Sequence, residues 1–144
     1  MSRIRNAFVA AALVVVTIPG VAHASTSVTA GTNKCTVTAI APTLKGTLLT
    51  ATATVLCTSA SSVAVLVGVV ELDGTVEDLK VEIPVKSIAV AVSANKLATI
   101  TTATVTCVST ETGNEEFATK AAVNIAGTVS AYDRTVPKLD SYAC

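Results

Sequence analysis

The sequence contains no tryptophan, and its other aromatic side chains are limited to two phenylalanines and two tyrosines. Glycoside hydrolases and other sugar-binding clefts stack aromatic rings on their substrates, so this scarcity argues against a carbohydrate-processing site. It also means that the core has to be built from valine, alanine, leucine and isoleucine. The missing tryptophan further argues against an antibody-type immunoglobulin domain, which packs a buried tryptophan on its disulfide.

Histidine is nearly absent, since the single one, His23, lies in an N-terminal segment that we expect to be removed. The rest of the chain then holds neither a Ser-His-Asp nor a Cys-His arrangement, and no G-x-S-x-G motif occurs. An excess of basic charge is lacking too, because loss of Arg3 and Arg5 leaves eight basic residues (10 − 2) against ten acidic ones. Lysines scattered singly on a nearly neutral chain argue against a nucleic-acid or anionic-membrane partner.

The chain begins with a pattern typical of an exported protein. Two arginines precede an apolar stretch over residues 7–18, which is too short to span a bilayer. Ala22 and Ala24 then supply the small side chains that signal peptidase requires at the −3 and −1 positions. We therefore predict a cleaved signal peptide over 1–24 and a single secreted β domain over 25–144, extracellular or cell-wall associated. The alternative, a retained membrane anchor, needs a longer apolar run.

Four cysteines are present, and in an exported chain an even number predicts two disulfides. The alternative is a zinc site or a redox pair. No two cysteines have C-x-x-C spacing, and no histidine remains to complete a mixed metal site. The four predicted disulfide cysteines are Cys35, Cys57, Cys107 and Cys144.

Side-chain alternation favours one pairing. Cys35 and Val37 share one face of their strand, as do Val55 and Cys57 of the next. If the two strands fold antiparallel about residues 41–46, Cys35 lies opposite Cys57 and Val37 opposite Val55. One register satisfies both the apolar face and the disulfide, which predicts Cys35–Cys57.

A cysteine-centred phrase occurs twice, as T-A-T-V-L-C-T-S at 52–59 and T-A-T-V-T-C-V-S at 102–109. We interpret it as a strand that carries a disulfide cysteine, used two times. Pairing of Cys35 with Cys57 leaves Cys107 to pair with Cys144. The alternative is a bridge between Cys57 and Cys107, as equivalent residues of a repeat that link two sheets.

The remaining chain keeps the two-residue period of β-strands and shows no convincing amphipathic helix. The fold class we predict is all-β, an antiparallel β-sandwich of immunoglobulin-like or Greek-key type with two disulfides. The strand Val63 to Leu72 is apolar on both faces, as expected at the centre of a sheet. The other predicted elements are a hairpin at Asp73-Gly74, strands over 78–83 and 86–92, a long strand from Leu97 to Val108, and two strands within 117–132 broken near Gly127.

Several carboxylates cluster near the predicted hairpins, but their spacing matches no calcium loop and no aromatic groups accompany them. We interpret them as solvated turn residues, so the sequence predicts no catalytic, cofactor or metal site. The carboxylates are Glu71, Asp73, Glu77, Asp78, Glu82, Glu115 and Glu116.

Threonine recurs at every second position of three strands. We interpret these rows as outward, solvated strand faces; the alternative is a flat ice-binding surface, which the twist expected of a sheet disfavours. The threonines are Thr36, Thr38, Thr50, Thr52, Thr54, Thr102, Thr104 and Thr106.

The signal peptide, the early Cys35, the V-L-C-T element at 55–58, the acidic residue before Asp-Gly at 71–74, Cys107 ahead of a Gly-Asn turn and a cysteine at 144 resemble small secreted four-cysteine proteins of actinobacteria. No activity is assigned to that family. The resemblance therefore implies a secreted β-sandwich and no reaction.

These observations predict a secreted non-catalytic binding or cell-surface-associated module, whose partner is an unidentified protein or component of the cell envelope. The alternative is a protein inhibitor of an extracellular hydrolase that presents a rigid loop, either 41–46 or 109–116. A carboxylate-dependent hydrolase is the third hypothesis, disfavoured by the missing histidine and aromatic groups.

Overall fold

The computed structural model describes residues 25–73, 76–77, 86–102, 105–107 and 116–135. Within these ranges the chain forms strands and turns, with no helix among them. The strands are β1 (Thr26–Ala30), β2 (Asn33–Lys45), β3 (Leu48–Cys57), β4 (Ser61–Asp73), β5 (Val76–Glu77), β6 (Lys86–Val92), β7 (Leu97–Thr101), β8 (Val105–Thr106), β9 (Glu116–Ile125), β10 (Thr128–Val129) and β11 (Asp133–Arg134).

The strands form two antiparallel sheets. Sheet A has the order β1-β2-β3-β7, and β8 also pairs with β3. Sheet B has the order β10-β9-β4-β5, with β11 also on β9 and β6 also on β4. One cluster of buried aliphatic side chains from both sheets forms the core between them. The all-β, two-sheet prediction is therefore confirmed.

The core follows from strict alternation along the central strands. In β3 the odd-numbered residues, such as Val55, are fully buried and the even-numbered ones point outward. In β4 the same holds for Val65, Val67 and Val69. Burying each valine contributes about 1.5–3 kcal/mol relative to exposure. The prediction of a central strand is confirmed, because β4 pairs with β6 on one edge and with β9 on the other.

The β2–β3 hairpin has the predicted register near the cysteines but a different turn. Cys35 lies opposite Cys57, as predicted. The segment 41–46 is not the turn that was expected, because β2 continues to Lys45 and the chain reverses at Gly46, whose φ is 63°. A β-bulge between Ile40 and Thr43 absorbs one extra residue, so both parts of the hairpin bury their apolar faces.

The predicted long strand from Leu97 to Val108 is wrong. β3 pairs with β7 as far as Thr52–Thr101 and with β8 from Leu49–Val105. The step between these pairs is three residues on β3 and four on the other strand, so the register shifts by one residue.

The shift reverses which side chains face inward, since even-numbered residues are buried before it and Cys107 is buried after it, so the second copy of the repeated phrase does not behave like the first. Thr102 is 8% exposed, and both its N–H and its Oγ1–H donate to the carbonyl oxygen of Ala51. The prediction that Thr102 faces solvent is therefore wrong, whereas Thr106 is exposed as predicted. Thr104 lies outside the described residues.

The break predicted near Gly127 is confirmed. β9 and β10 form a hairpin with Ile125 opposite Thr128, and the loop residues Ala126 and Gly127 have φ values of 50° and 86°. Positive φ at both loop positions is the signature of a type I′ turn, which matches the twist of the two strands. Asn124 accepts the N–H of Gly127 through its Oδ1.

Several predictions fall outside the described residues and stay predictions. They concern the signal peptide over 1–24, the return strand over 78–83, and Cys144. The hairpin after β4 is seen in part, since Leu72 lies opposite Glu77.

Candidate binding surfaces

Two of the four cysteines form a disulfide bridge in the core. Cys35 and Cys57 are joined by a disulfide with an S–S distance of 2.06 Å, and both are fully buried between the sheets. The predicted pairing is confirmed, and the alternative bridge from Cys57 to Cys107 is wrong. Cys107 is buried as well, and the described part of the chain contains no free cysteine. Its predicted partner, Cys144, lies outside the described residues.

The carboxylates do not form a site in the part of the chain that the structure describes. Glu71 is 3% exposed, so its interpretation as a solvated turn residue is wrong. β4 continues through position 71, and Glu71 keeps the inward direction of Val69. Glu116 is half-buried at the start of β9, whereas Asp78, Glu82 and Glu115 lie outside the described residues. Within the described ranges no group of three or more acidic, cysteine or histidine side chains is placed to hold a metal ion.

The structure tests one of the two loops that the inhibitor hypothesis requires. Residues 41–45 belong to β2, so this segment is a paired strand and not a projecting loop. Residues 108–115 lie outside the described residues, so the second loop is untested. The described part of the structure gives no observation that favours an inhibitor.

The outer face of sheet A carries a regular array of threonines, which we call the threonine grid. Strand register aligns it in three rows across β2, β3 and β7, since residues directly opposite each other share a face. The rows are Thr36–Leu56–Leu97, Thr38–Thr54–Thr99 and Ile40–Thr52–Thr101.

The threonine grid has no charged side chain. Its threonines are half-buried on β2 and β3 and exposed on β7. Leu97 is 64% exposed, and Leu56 and Ile40 are 40% and 38% exposed. Each threonine offers a hydroxyl that donates and accepts beside a methyl group, so the surface combines hydrogen-bonding and apolar groups without charge. Such a face suits a partner that is itself uncharged.

Sequence reasoning found two columns of the grid and missed the third. The outward positions of Thr36, Thr38, Thr52 and Thr54 are confirmed. The third column was assigned to the repeated phrase at 102–109, but β7 supplies it through Thr99 and Thr101. Thr99 and Thr101 alternate with the apolar Ala98 and Ile100, and this alternation could have identified the column. It was missed because the prediction placed 97–108 in one strand whose odd-numbered side chains all face inward.

One side of the molecule, which we call the closed side, joins the β1–β2 edge of sheet A to β10 and β11 of sheet B. Thr26 lies opposite Val37 in sheet A and donates its hydroxyl to the carbonyl oxygen of Ala131 at 2.8 Å. Beyond the end of β1, the N–H of Ala39 donates to Asp133 Oδ2 at 2.6 Å. β11 therefore runs beside β2 in the same direction.

Hydroxyl groups make further hydrogen bonds on the closed side. Thr119 donates its N–H to Thr135 Oγ1 at 2.9 Å, and Val123 donates its N–H to Ser130 Oγ at 3.0 Å. These hydroxyls replace backbone carbonyls at the margin of β9. Asp133 is 2% exposed, and within the described residues its second oxygen, Oδ1, has no hydrogen-bond partner. Burying the side chain of Asp133 costs desolvation energy. We infer that its role is to cap the β2 edge by accepting the N–H of Ala39.

The opposite side, the open side, consists of β6 in sheet B and β7 in sheet A. β7 pairs with β3 alone, and the N–H of Thr102 donates to Ala51. Because backbone groups alternate in direction along an antiparallel strand, the N–H and C=O groups of Leu97, Thr99 and Thr101 point away from β3. Among the described residues, none pairs with this edge.

The same alternation fixes the outer edge of β6. Odd-numbered residues of β9 bond to β10 and β11, so its even-numbered residues bond to β4. Odd-numbered residues of β4 then bond to even-numbered residues of β6. The backbone groups of Ser87, Ala89 and Ala91 therefore point outward, and no described residue pairs with them.

No protein-family model matches this chain, and searches of curated proteins and of solved structures also find no match. The described part of the chain has no helix with the length and apolar character that a membrane crossing requires.

Proposed function

We propose that this protein is a secreted, non-catalytic binding module that uses the threonine grid to bind an uncharged protein surface at the cell envelope. The observation that carries this proposal is the grid itself, three aligned rows of threonine and aliphatic residues without a charged side chain. β2 carries lysine only near its ends, at Lys34 and Lys45, and the nine grid positions carry no charge. A sheet face that only needs to be solvated does not require an uncharged centre.

The chemistry of the grid supports a protein partner over other classes. Nucleic acids and anionic lipids are bound through clustered lysine and arginine, which the grid lacks. Glycan recognition uses aromatic stacking, and the grid has no aromatic ring. Hydroxyls next to Leu56, Leu97 and Ile40 instead resemble the mixture of apolar and hydrogen-bonding groups found in protein interfaces.

A second disulfide, Cys107–Cys144, belongs to the same proposal. The N–H of Cys107 donates to Thr47, at the end of the sandwich where β2 turns into β3. β11 runs beside β2 toward that end, and Cys144 follows Thr135 by nine residues (144 − 135), a reach of about 30 Å when extended. An oxidising compartment, in which the observed disulfide is stable, fits secretion.

The finer fold assignment is proposed too, an immunoglobulin-like arrangement of Greek-key type. Its support is the path of the chain, which crosses from sheet A to sheet B between β3 and β4 and returns between β6 and β7. Crossings of this kind are typical of two-sheet Greek keys.

The test is capture of a partner from envelope and culture-medium fractions by the immobilised protein, followed by an affinity measurement with that partner. Thr54→Lys, at the centre of the grid, and Thr99→Lys, at its exposed column, should each weaken binding by about tenfold or more, because an unpaired lysine buried at a neutral interface costs more than about 1.4 kcal/mol.

Thr128→Lys is the matched control, since Thr128 is an exposed strand threonine of sheet B. It should bind like the wild type. If the two grid variants bind as well as this control does, the grid is not the binding surface.

A further inference from the structure

We propose that the β6 edge binds a second copy of this chain, by antiparallel pairing of β6 with β6 about a two-fold axis at Ala89. The observation behind this proposal is an edge strand of seven residues that pairs with β4 alone among the described residues. The threonine grid lies on the other sheet, so this site is separate from the binding function proposed above.

The backbone groups of the β6 edge determine what kind of partner can bind there. Ser87, Ala89 and Ala91 direct alternating N–H and C=O groups outward at the spacing of an antiparallel ladder, and only another extended backbone matches that spacing. Their side chains are small and exposed, so none obstructs an incoming strand. The occupant is therefore a β-strand.

β6 also lacks the devices by which natural proteins block sheet edges. It contains no proline, its pairing with β4 is continuous without a bulge, and its one charged residue is Lys86 at its first position. The β2 edge on the closed side has three such devices, namely Pro42, the bulge beside it and the carboxylate of Asp133 on Ala39. The part of β2 that extends beyond β1 is therefore protected whereas β6 is not, and this contrast supports use of the β6 edge.

The sequence of β6 is suited to pairing with itself. With Ala89 facing Ala89 of the second copy, Ser87 faces Ala91, and each facing pair exchanges two N–H···O=C bonds. This register engages all three outward residues of both strands. Ile88 then faces Val90 on the core side of the extended sheet, and these half-buried side chains become more covered.

Charge permits the same register. Lys86 faces Val92 of the second copy, which places the two lysines six residues apart along the strand, about 20 Å. That distance exceeds the screening length of about 8–10 Å at physiological salt, so the lysines do not oppose pairing. An isologous contact of this kind closes as a dimer and does not propagate into a fibre.

Sedimentation equilibrium of the purified protein from micromolar to millimolar concentration tests the proposal. The wild type should approach twice the monomer mass as concentration rises. Ala89→Lys and Ala89→Glu should each remain monomeric, because two like charges then face each other across the axis. An equimolar mixture of the two variants should recover the doubled mass, which shows both that each variant folds and that the copies meet at this position.

Ala131→Lys is the control, an exposed alanine on the closed side that receives the same charge and should dimerise like the wild type. Hydrogen exchange should slow at Ser87, Ala89 and Ala91 with rising concentration. Wild-type protein that stays monomeric at millimolar concentration would overturn the proposal. So would a dimer that Ala89→Lys and Ala89→Glu both retain, or protection confined to the β7 amides.

Discussion

The closed side and the open side of the sandwich differ in what happens to the backbone groups at their sheet edges. Each side ends in strands whose outer backbone groups have no neighbour within their own sheet. On the closed side, the outer N–H of Ala39 donates to Asp133, and the carbonyl oxygen of Ala131 accepts the hydroxyl of Thr26. On the open side, Ser87, Ala89 and Ala91 direct theirs outward, and no described residue pairs with them.

This difference distinguishes edge hydrogen bonds that stabilise the fold from edge groups that remain available to bind another strand. The bond from Ala39 to Asp133 stabilises the association of the sheets, because it gives a buried backbone N–H an acceptor. On the open side, by contrast, the sheet edges lack such capping from any described residue. An uncapped edge leaves a surface that can be extended by another strand.

The largest change in stability should come from removing the disulfide. This bond joins β2, which forms part of the closed side, to β3, which pairs with β7 on the open side. The Cys35→Ala, Cys57→Ala double variant should lose about 3 kcal/mol of unfolding free energy, since the bridge spans 22 residues. Urea unfolding with and without reductant measures it. A wild-type midpoint that reductant leaves unchanged, with the bond shown to be reduced, would contradict this expectation.

The next effect should come from breaking the closed side itself. Asp133→Ala leaves the N–H of Ala39 without its acceptor and should cost about 2 kcal/mol, the range for hydrogen bonds to charged groups. Asp133→Asn should cost less, because an amide oxygen still accepts that bond. Chemical unfolding of both variants gives the order, and equal losses would mean that the contact with Ala39 is not what Asp133 contributes.

Local alternation was enough to predict the parts of the fold that depend on neighbouring residues. The facing of Cys35 and Cys57, the central position of β4 and the break near Gly127 all follow from two-residue periodicity and turn chemistry, which a sequence displays directly. Their physical cause lies within one hairpin or one strand.

What the sequence did not predict depends on contacts between distant segments. Thr102 bonds to Ala51 because it continues the pairing of β7 with β3, in which even-numbered residues face inward, so Thr99 and Thr101 of β7 supply the outward column. Asp133 caps a strand that precedes it by 94 positions. Nothing in a lone aspartate near the C-terminal end of a sequence distinguishes such a cap from a solvated side chain.

The smallest effect should come from charging the open side. Ala91→Lys places a lysine on an exposed outward position of β6 and should change the unfolding free energy by less than about 0.5 kcal/mol, as should Ala131→Lys on the closed side. Thermal and urea unfolding at micromolar concentration measure both. A loss above about 1 kcal/mol for Ala91→Lys alone would mean that this face of β6 is packed in the monomer. If the lysine is tolerated, folding does not require this position of β6 to stay uncharged, and the chain could carry an edge-blocking charge there at no cost to folding.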